Sequence, residues 1–209
     1  MDYVNDTIKN MAVTWRNRDL SRPLSEEQVD YFSNLAVQTP TKQENKYYNV
    51  FSITNQELID KIYYHTAVPD PGPAREQPYN PQVIAPLLLI WFSTQIELGI
   101  RSMNYLSNAE KEKTNDLIID THQAVGISAG VVSYEANRLG LQTGFCRCIH
   151  DGEVRRELQR YGHDLTDASL LLTLSIGYGD SENPRQHQKL DYMIMQPHER
   201  INPQLIRIN

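Results

Sequence analysis

The sequence predicts an α+β fold on three observations: short capped amphipathic helices, two strongly apolar runs of strand length, and one long small-residue stretch with helical periodicity. Ser25 opens SEEQ, where its hydroxyl can accept from the third following amide while Gln28 reaches back. A helix is therefore expected to about Gln38, with Val29, Phe32, Leu35 and Ala36 as its apolar stripe. After the polar loop TPTKQENKYY, the run NVFSIT alternates as a short strand. Thr54 to Glu57 reads as a second capping box that opens a helix through NQELIDKIYYHT.

The proline-rich stretch 68–82 can continue neither pattern, because proline lacks an amide donor and restricts its neighbour, so it is expected as an irregular loop of functional interest. VIAPLLLIWF, 83–92, follows as a buried strand. The polar NAEKEKTND reads as a solvated connection or helix end. From 116 to 139 the positions Ile119, Ile127, Val131, Tyr134 and Leu139 recur at helical intervals, and Gly140 should end that helix with Leu141 folding back. QTGFCRCI then alternates like a strand, and LLLTLSIGYG, 170–179, is apolar enough for a central one.

At 209 residues, 40% hydrophobic and 22% charged, the chain is expected to form a single globular domain over 1–209. Its net charge of −6 disfavours nonspecific nucleic-acid binding but leaves room for a local basic pocket. No apolar run approaches the roughly 18 residues of a membrane-spanning helix, and the start lacks the layout of a secretory signal, so a cytoplasmic protein is expected. Cys146 and Cys148 lie too close for an unstrained bridge within one strand and are too few for a disulfide framework, which fits a reducing compartment.

Two motifs invite chemistry. GISAG, 126–130, has the Gly-x-Ser-x-Gly pattern that sets a serine nucleophile on a strand-to-helix turn in many hydrolases. The preceding DLIIDTHQAV runs into the motif with helical spacing, so the required strand is missing and Ser128 reads as a spacer. Gly126 and Gly130, with Ala129, Ser133 and Asn137, instead clear a helix face for close approach by a partner helix, a sheet or a flat ligand. In CRCIH, Cys146, Cys148 and His150 would share one strand face, but a fourth ligand is lacking and buried small hydrophobes are the reading adopted, with no metal expected. Neither a Gly-x-Gly-x-x-Gly nor a P-loop pattern occurs.

WRNRDLSR brings Arg16, Arg18 and Arg22 together around Asn17, and guanidiniums so close suit an anion such as phosphate. The order of WRNRDLSRPLSEEQ, TPTKQEN before a strand and helix, NPQVIAPLLL, a small-residue helix ending NRLGLQTGF, and LSIGYGDSENPR resembles the nitroreductase family of flavin enzymes over about 16–185, closest to a divergent branch that includes phage-encoded members. The resemblance implies a mostly antiparallel central sheet flanked by helices. It also implies an intertwined homodimer with a long interface helix and an FMN at each of two sites between subunits. A C-terminal arm of about 190–209, with Leu205, Ile206 and Ile208, would dock on the partner.

On the same resemblance Arg16, Asn17 and Arg18 bind the FMN phosphate, and Pro40, Thr41, Lys42, Gln43 and Asn45 contact the ring from the other subunit. Glu44 either inserts before Asn45 or replaces the expected asparagine, and Tyr47 and Tyr48 stand where Gln-Pro-Trp is common. Asn80 resembles a ribityl or ring-edge contact; Gln142, Thr143 and Gly144 form the turn over the flavin; Arg185 and Lys189 compete for the last phosphate contact. The activity implied is hydride transfer from NAD(P)H through FMN to a small acceptor such as a nitroaromatic or quinone. Lys42 is the candidate catalytic group, a cation placed to stabilise charge on the reduced ring. The rival readings are a noncatalytic dimeric module that kept the fold without flavin, and a serine hydrolase using Ser128.

Overall fold

A computed structural model describes residues 6–12, 14–66, 79–94, 108–166 and 168–180, with the side chains of 108–114 excepted. Helix α1 (Asp6–Met11) precedes α2 (Glu26–Gln38), β1 (Tyr48–Ile53), α3 (Gln56–Tyr64), β2 (Leu87–Ser93), α4 (Asn108–Arg138), β3 (Gln142–Cys146), α5 (Asp151–Gln159) and β4 (Leu170–Gly177). The strands form an antiparallel sheet in the order β1-β2-β4-β3. The expected α+β class, with an antiparallel central sheet flanked by helices, is therefore the observed one.

The continuous apolarity of β2 has a direct cause. Leu87, Leu89 and Trp91 enter a core cluster with residues of α2 and α4. Leu88, Ile90 and Phe92 enter a second cluster with α3 and α5. Every second side chain points to one face, so a strand covered on both faces must be apolar throughout. The sheet is the middle of three layers.

Several element ends follow the sequence. Ser25 Oγ accepts from the Gln28 amide at 3.2 Å and Gln28 Oε1 accepts from the Ser25 amide at 3.0 Å, so both halves of the box form. Gly140 is left-handed at φ 78°, and the Leu141 and Gly140 amides donate to the Ala136 and Asn137 carbonyls at 2.9 and 3.1 Å. Other ends differ. The cap of α3 is Asn55, which accepts from the Leu58 amide at 3.0 Å, because the chain enters the helix one residue after Thr54. The segment 83–92 divides into a 3-10 turn, Pro81–Val83, and β2, with Pro86 just ahead of the ladder. NAEKEKTND is neither connection nor end but the opening of α4, whose 31 residues span about 46 Å.

Candidate functional site

The segment after α1 crosses the far edge of the sheet. The Trp15 amide donates to the Thr143 carbonyl at 3.1 Å, Arg18 bridges to Gly179, and the Asp19 amide donates to the Tyr178 carbonyl at 3.0 Å. This path requires glycine in β3: a Cβ on Gly144 would lie 2.6 Å from the Trp15 carbonyl and 2.9 Å from Arg18 Nη2. The space over Gly144 thus belongs to the chain's own packing.

Arg18 turns inward. It is 7% exposed, and Nη2 donates to Ser175 Oγ at 2.9 Å. Its Nε and Nη1 are buried without acceptors, and burial pushes the guanidinium down to about 9. A buried cation in this state calls for an anion or further acceptors. Arg22 departs from the cluster, its guanidinium 3.8 Å over the Tyr178 ring.

Arg16 faces a different polar group. Its Nη2 lies 3.1 Å from the side-chain amide of Gln82, which also sits 3.2 Å from the Phe145 carbonyl and 2.8 Å from Asn80 Nδ2. Asn80 Oδ1 accepts from the Gln82 amide at 3.1 Å, and Asn80 Nδ2 also reaches Cys146 Sγ at 3.4 Å. Asn80 is thereby fixed as the cap of the 3-10 turn. Gln82 is the residue sequence reasoning missed here; an uncharged glutamine after a proline carries no signal of its own. Asn17, half-buried between the two arginines, has partners of its own.

Gln142 packs against Gly179 with its Oε1 buried and unpaired. Thr143 is committed to α4, its hydroxyl 2.8 Å from Ser133 Oγ and accepting from Asn137 Nδ2 at 3.0 Å.

The loop after α2 lies apart from these groups in the single chain. Pro40, Lys42, Gln43, Glu44 and Asn45 are exposed. Gln43 and Glu44 are both left-handed, at φ 55° and 61°, a conformation that costs non-glycine residues about 1–2 kcal/mol each. Thr41 Oγ1 is buried with no partner. Lys42 Nζ is held by Asp120 Oδ2 of α4 at 2.8 Å, and that carboxylate raises the lysine above its ordinary value. Asp120 is a second unforeseen neighbour, since nothing in the sequence aligns it with a loop 78 residues earlier. Tyr48, in contrast, is buried, its hydroxyl 3.4 Å from the Ala36 carbonyl.

Ser128 is not poised for attack. It is fully buried in α4, donates to the Ala36 carbonyl at 2.6 Å and accepts from Trp91 Nε1 at 3.0 Å, so it ties α4 to α2 and β2. The shared strand face expected of Cys146, Cys148 and His150 does not form, because β3 ends at Cys146: Cys146 is buried as expected, Cys148 is exposed beyond the strand end, and the exposed His150 stands at the N-cap position of α5. Among the described residues no group of three or more His, Cys, Asp or Glu could hold a metal. Arg185, Lys189 and the arm 190–209 lie outside the described residues.

Among the described residues, one face of α4 remains uncovered. Ile119, Ile127 and Val131 are 52%, 46% and 39% exposed, with Tyr134 beside them. Gly126 and Gly130 border this stripe, and a Cβ on either would meet open space. The small-residue positions therefore divide: Ala129, Ser133 and Asn137 serve the sheet, while the glycines open outward.

No protein-family model matches the sequence, and no curated protein does. Solved structures do match in fold. The chain is similar to a nitroreductase family protein from Clostridium novyi (TM-score 0.61, 10% identity, 87% of each chain covered). It is similar to a nitroreductase with bound FMN from Bacteroides fragilis (TM-score 0.60, 13% identity, 89% of this chain and 94% of that one). An FMN-dependent nitroreductase from Clostridium difficile matches with TM-score 0.55 and 17% identity over 89% and 93%. The chain has the nitroreductase fold.

Proposed function

We propose that the chain is a cytoplasmic FMN-dependent oxidoreductase that passes hydride from NAD(P)H to a small acceptor such as a nitroaromatic or quinone, working as a homodimer. The observation that carries this reading is the buried guanidinium of Arg18, whose Nε and Nη1 lack acceptors, on a fold shared with a protein that binds FMN. A phosphate would supply the missing acceptors and charge. Thr41 Oγ1 and Gln142 Oε1, also buried and unpaired, are further polar atoms in search of partners, so the residues fit the group.

In this reading Arg16 and Arg18 hold the phosphate, with Asn17 between them and Arg185 or Lys189 completing the set. FMN supplies reversible two-electron hydride chemistry when bound. The protein's own tasks are to bind, orient and polarise. Lys42 brings positive charge, moderated by Asp120, and the loop of Pro40, Thr41, Gln43 and Asn45 reaches the partner's site across the seam. Asn80 and Gln142 shape the near wall, while Thr143 and Gly144, packed against α4 and Arg18, support it from β3.

The exposed stripe of α4 is the seam. Apolar surface so concentrated on one helix suits a second copy, and the glycines along it permit close backbone approach. In this reading the chain is one domain over 1–209, of which the stretch 190–209 lies outside the described residues.

An absorbance spectrum tests the proposal. Freshly purified protein should be yellow and bleach under anaerobic NADH or NADPH. A colourless dimer that takes up no FMN would instead establish the noncatalytic module, which the left-handed backbone at Gln43 and Glu44 favours as the second reading. Lys42→Ala should lower turnover more than FMN retention; the reverse would make Lys42 a binding residue only.

A further inference from the structure

The segment after α5 folds back over the end of β1. The Tyr161 and Gly162 amides close the helix on the Leu158 and Gln159 carbonyls at 3.0 and 2.9 Å, and Gly162 takes the left-handed φ of 87° that turns the chain. His163 is thereby laid edge-on against Phe51, ring centroids 5.1 Å apart and planes at 86°. Phe51 is itself packed edge-on against Phe92 of β2 at 5.5 Å, so this wall is anchored in the sheet. Between the wall and the start of α3 lies a cavity of about 260 Å³.

The floor of the cavity is apolar, with Ile53, Leu58 and Leu158 all buried, and Tyr161, 46% exposed, stands at its mouth with His163. Among the described residues the His163 ring nitrogens and the Tyr161 and Thr54 hydroxyls have no hydrogen-bond partner. Ser52 contributes its main chain. Its hydroxyl is turned to Ser33 Oγ of α2 at 2.7 Å, on the other side of the strand. The Thr94 amide donates to the Tyr47 carbonyl at 3.0 Å, and alternation along the unbroken β1–β2 register from that bond leaves the Ser52 N–H and C=O on the outer edge of the sheet. In an extended residue these two groups point the same way, a donor beside an acceptor.

We propose that this cavity is a binding site for a monocyclic aromatic carboxamide. Its volume falls just below the roughly 300–1,000 Å³ of pockets for drug-sized ligands, which limits the occupant to one substituted ring. A flat ring suits a slot walled by Phe51, His163 and Tyr161 over an aliphatic floor. A carboxamide presents an acceptor and a donor side by side, so it pairs with the Ser52 N–H and C=O as an added strand would. A carboxylate has no hydrogen to give the Ser52 carbonyl, and a bare ring leaves both groups unmet. The site is separate from the basic cluster, which lies along the β3 edge: β1 and β3 are opposite edges of the sheet, three strand spacings or about 14 Å apart.

Amide NMR titration of the full-length protein with benzamide, benzoate and toluene tests this. Benzamide should shift the Ser52, Thr54 and His163 amides, saturate in the millimolar range or below, and do so equally with and without added FMN. Benzoate and toluene, the same ring without the donor or without both polar groups, should bind about 10-fold more weakly or worse. His163→Ala and Tyr161→Ala, both at exposed positions, should each weaken benzamide about 5-fold or more while the amide spectrum of the sheet stays in place. Absence of saturable shifts at Ser52 and Thr54, or toluene binding as tightly as benzamide, would overturn the proposal. So would displacement of benzamide by FMN, or wild-type affinity in both variants.

Discussion

Along α4, Val125, Ser128, Ala129, Val132, Ser133 and Ala136 are buried against the sheet and α2, while Ile127, Val131 and Tyr134 on the opposite side are left exposed. Apolar residues lie on both faces, where an ordinary surface helix keeps one polar, and the inner face is the shallower, with Ser128, Ala129, Ser133 and Ala136 among its valines. The inner face is narrow because the helix must lie close to β2 and β4, where Trp91 already fills the space and Ser128 receives its indole N–H. The outer face is exposed among the described residues and is the seam of the proposed dimer. One helix thus carries two interfaces with separate demands, and substitutions on each should fail in separate ways.

The largest effect belongs to the inner face. Ala129→Leu adds bulk where none is exposed and should cost about 3 kcal/mol, read as a lower urea midpoint with unchanged slope. Ser128→Ala comes next, since it leaves the buried Trp91 Nε1 without its acceptor and removes the shorter of two hydroxyl donors to the Ala36 carbonyl, about 2 kcal/mol by the same measurement. It should leave no activity signature of a lost nucleophile. On the outer face Ile127→Lys should change chain stability by no more than about 0.5 kcal/mol, yet weaken self-association about 10-fold or more in dilution experiments. Equal loss of stability on both faces would erase the distinction between them.

The smallest effect lies on the flank. Glu135 accepts from Arg138 and from the Tyr31 hydroxyl of α2, which hold its carboxyl at about 2, below the ordinary 4.5. A depressed carboxylate contributes stability that is complete above pH 4.5 and lost as pH falls toward 2. Arg138→Ala should raise the Glu135 titration midpoint toward the ordinary value, read by NMR, with little effect on stability at neutral pH. No change in the midpoint would place the cause elsewhere.

Much of the architecture was legible because local chemistry and tertiary demand agree. The Ser25 and Gln28 box, the unbroken apolar run of β2 and the stop at Gly140 each have one physical meaning. Periodicity also found the stripe of Ile119, Ile127, Val131 and Tyr134, but a repeat cannot say whether the same chain or another covers it. Helix α5 was missed because DGEVRRELQ offers only Val154 and Leu158 to the core amid charge. At the site, the arginine cluster was visible but its division was not: Arg18 turns under Gly144 toward Ser175 while Arg16 turns toward Gln82, and long side chains from adjacent positions give no hint of that in sequence. Asn55 displaced Thr54 as a cap for a similar reason, two competent residues side by side with the choice set by the exit from β1.

Sedimentation equilibrium followed at the flavin absorbance band joins the outer face of α4 to the basic cluster in one experiment. The account predicts a single species of twice the chain mass that carries the FMN absorbance, and dissociation of Ile127→Lys with release of the flavin. A species of one chain mass, or a dimer transparent at that wavelength after incubation with FMN, would contradict it.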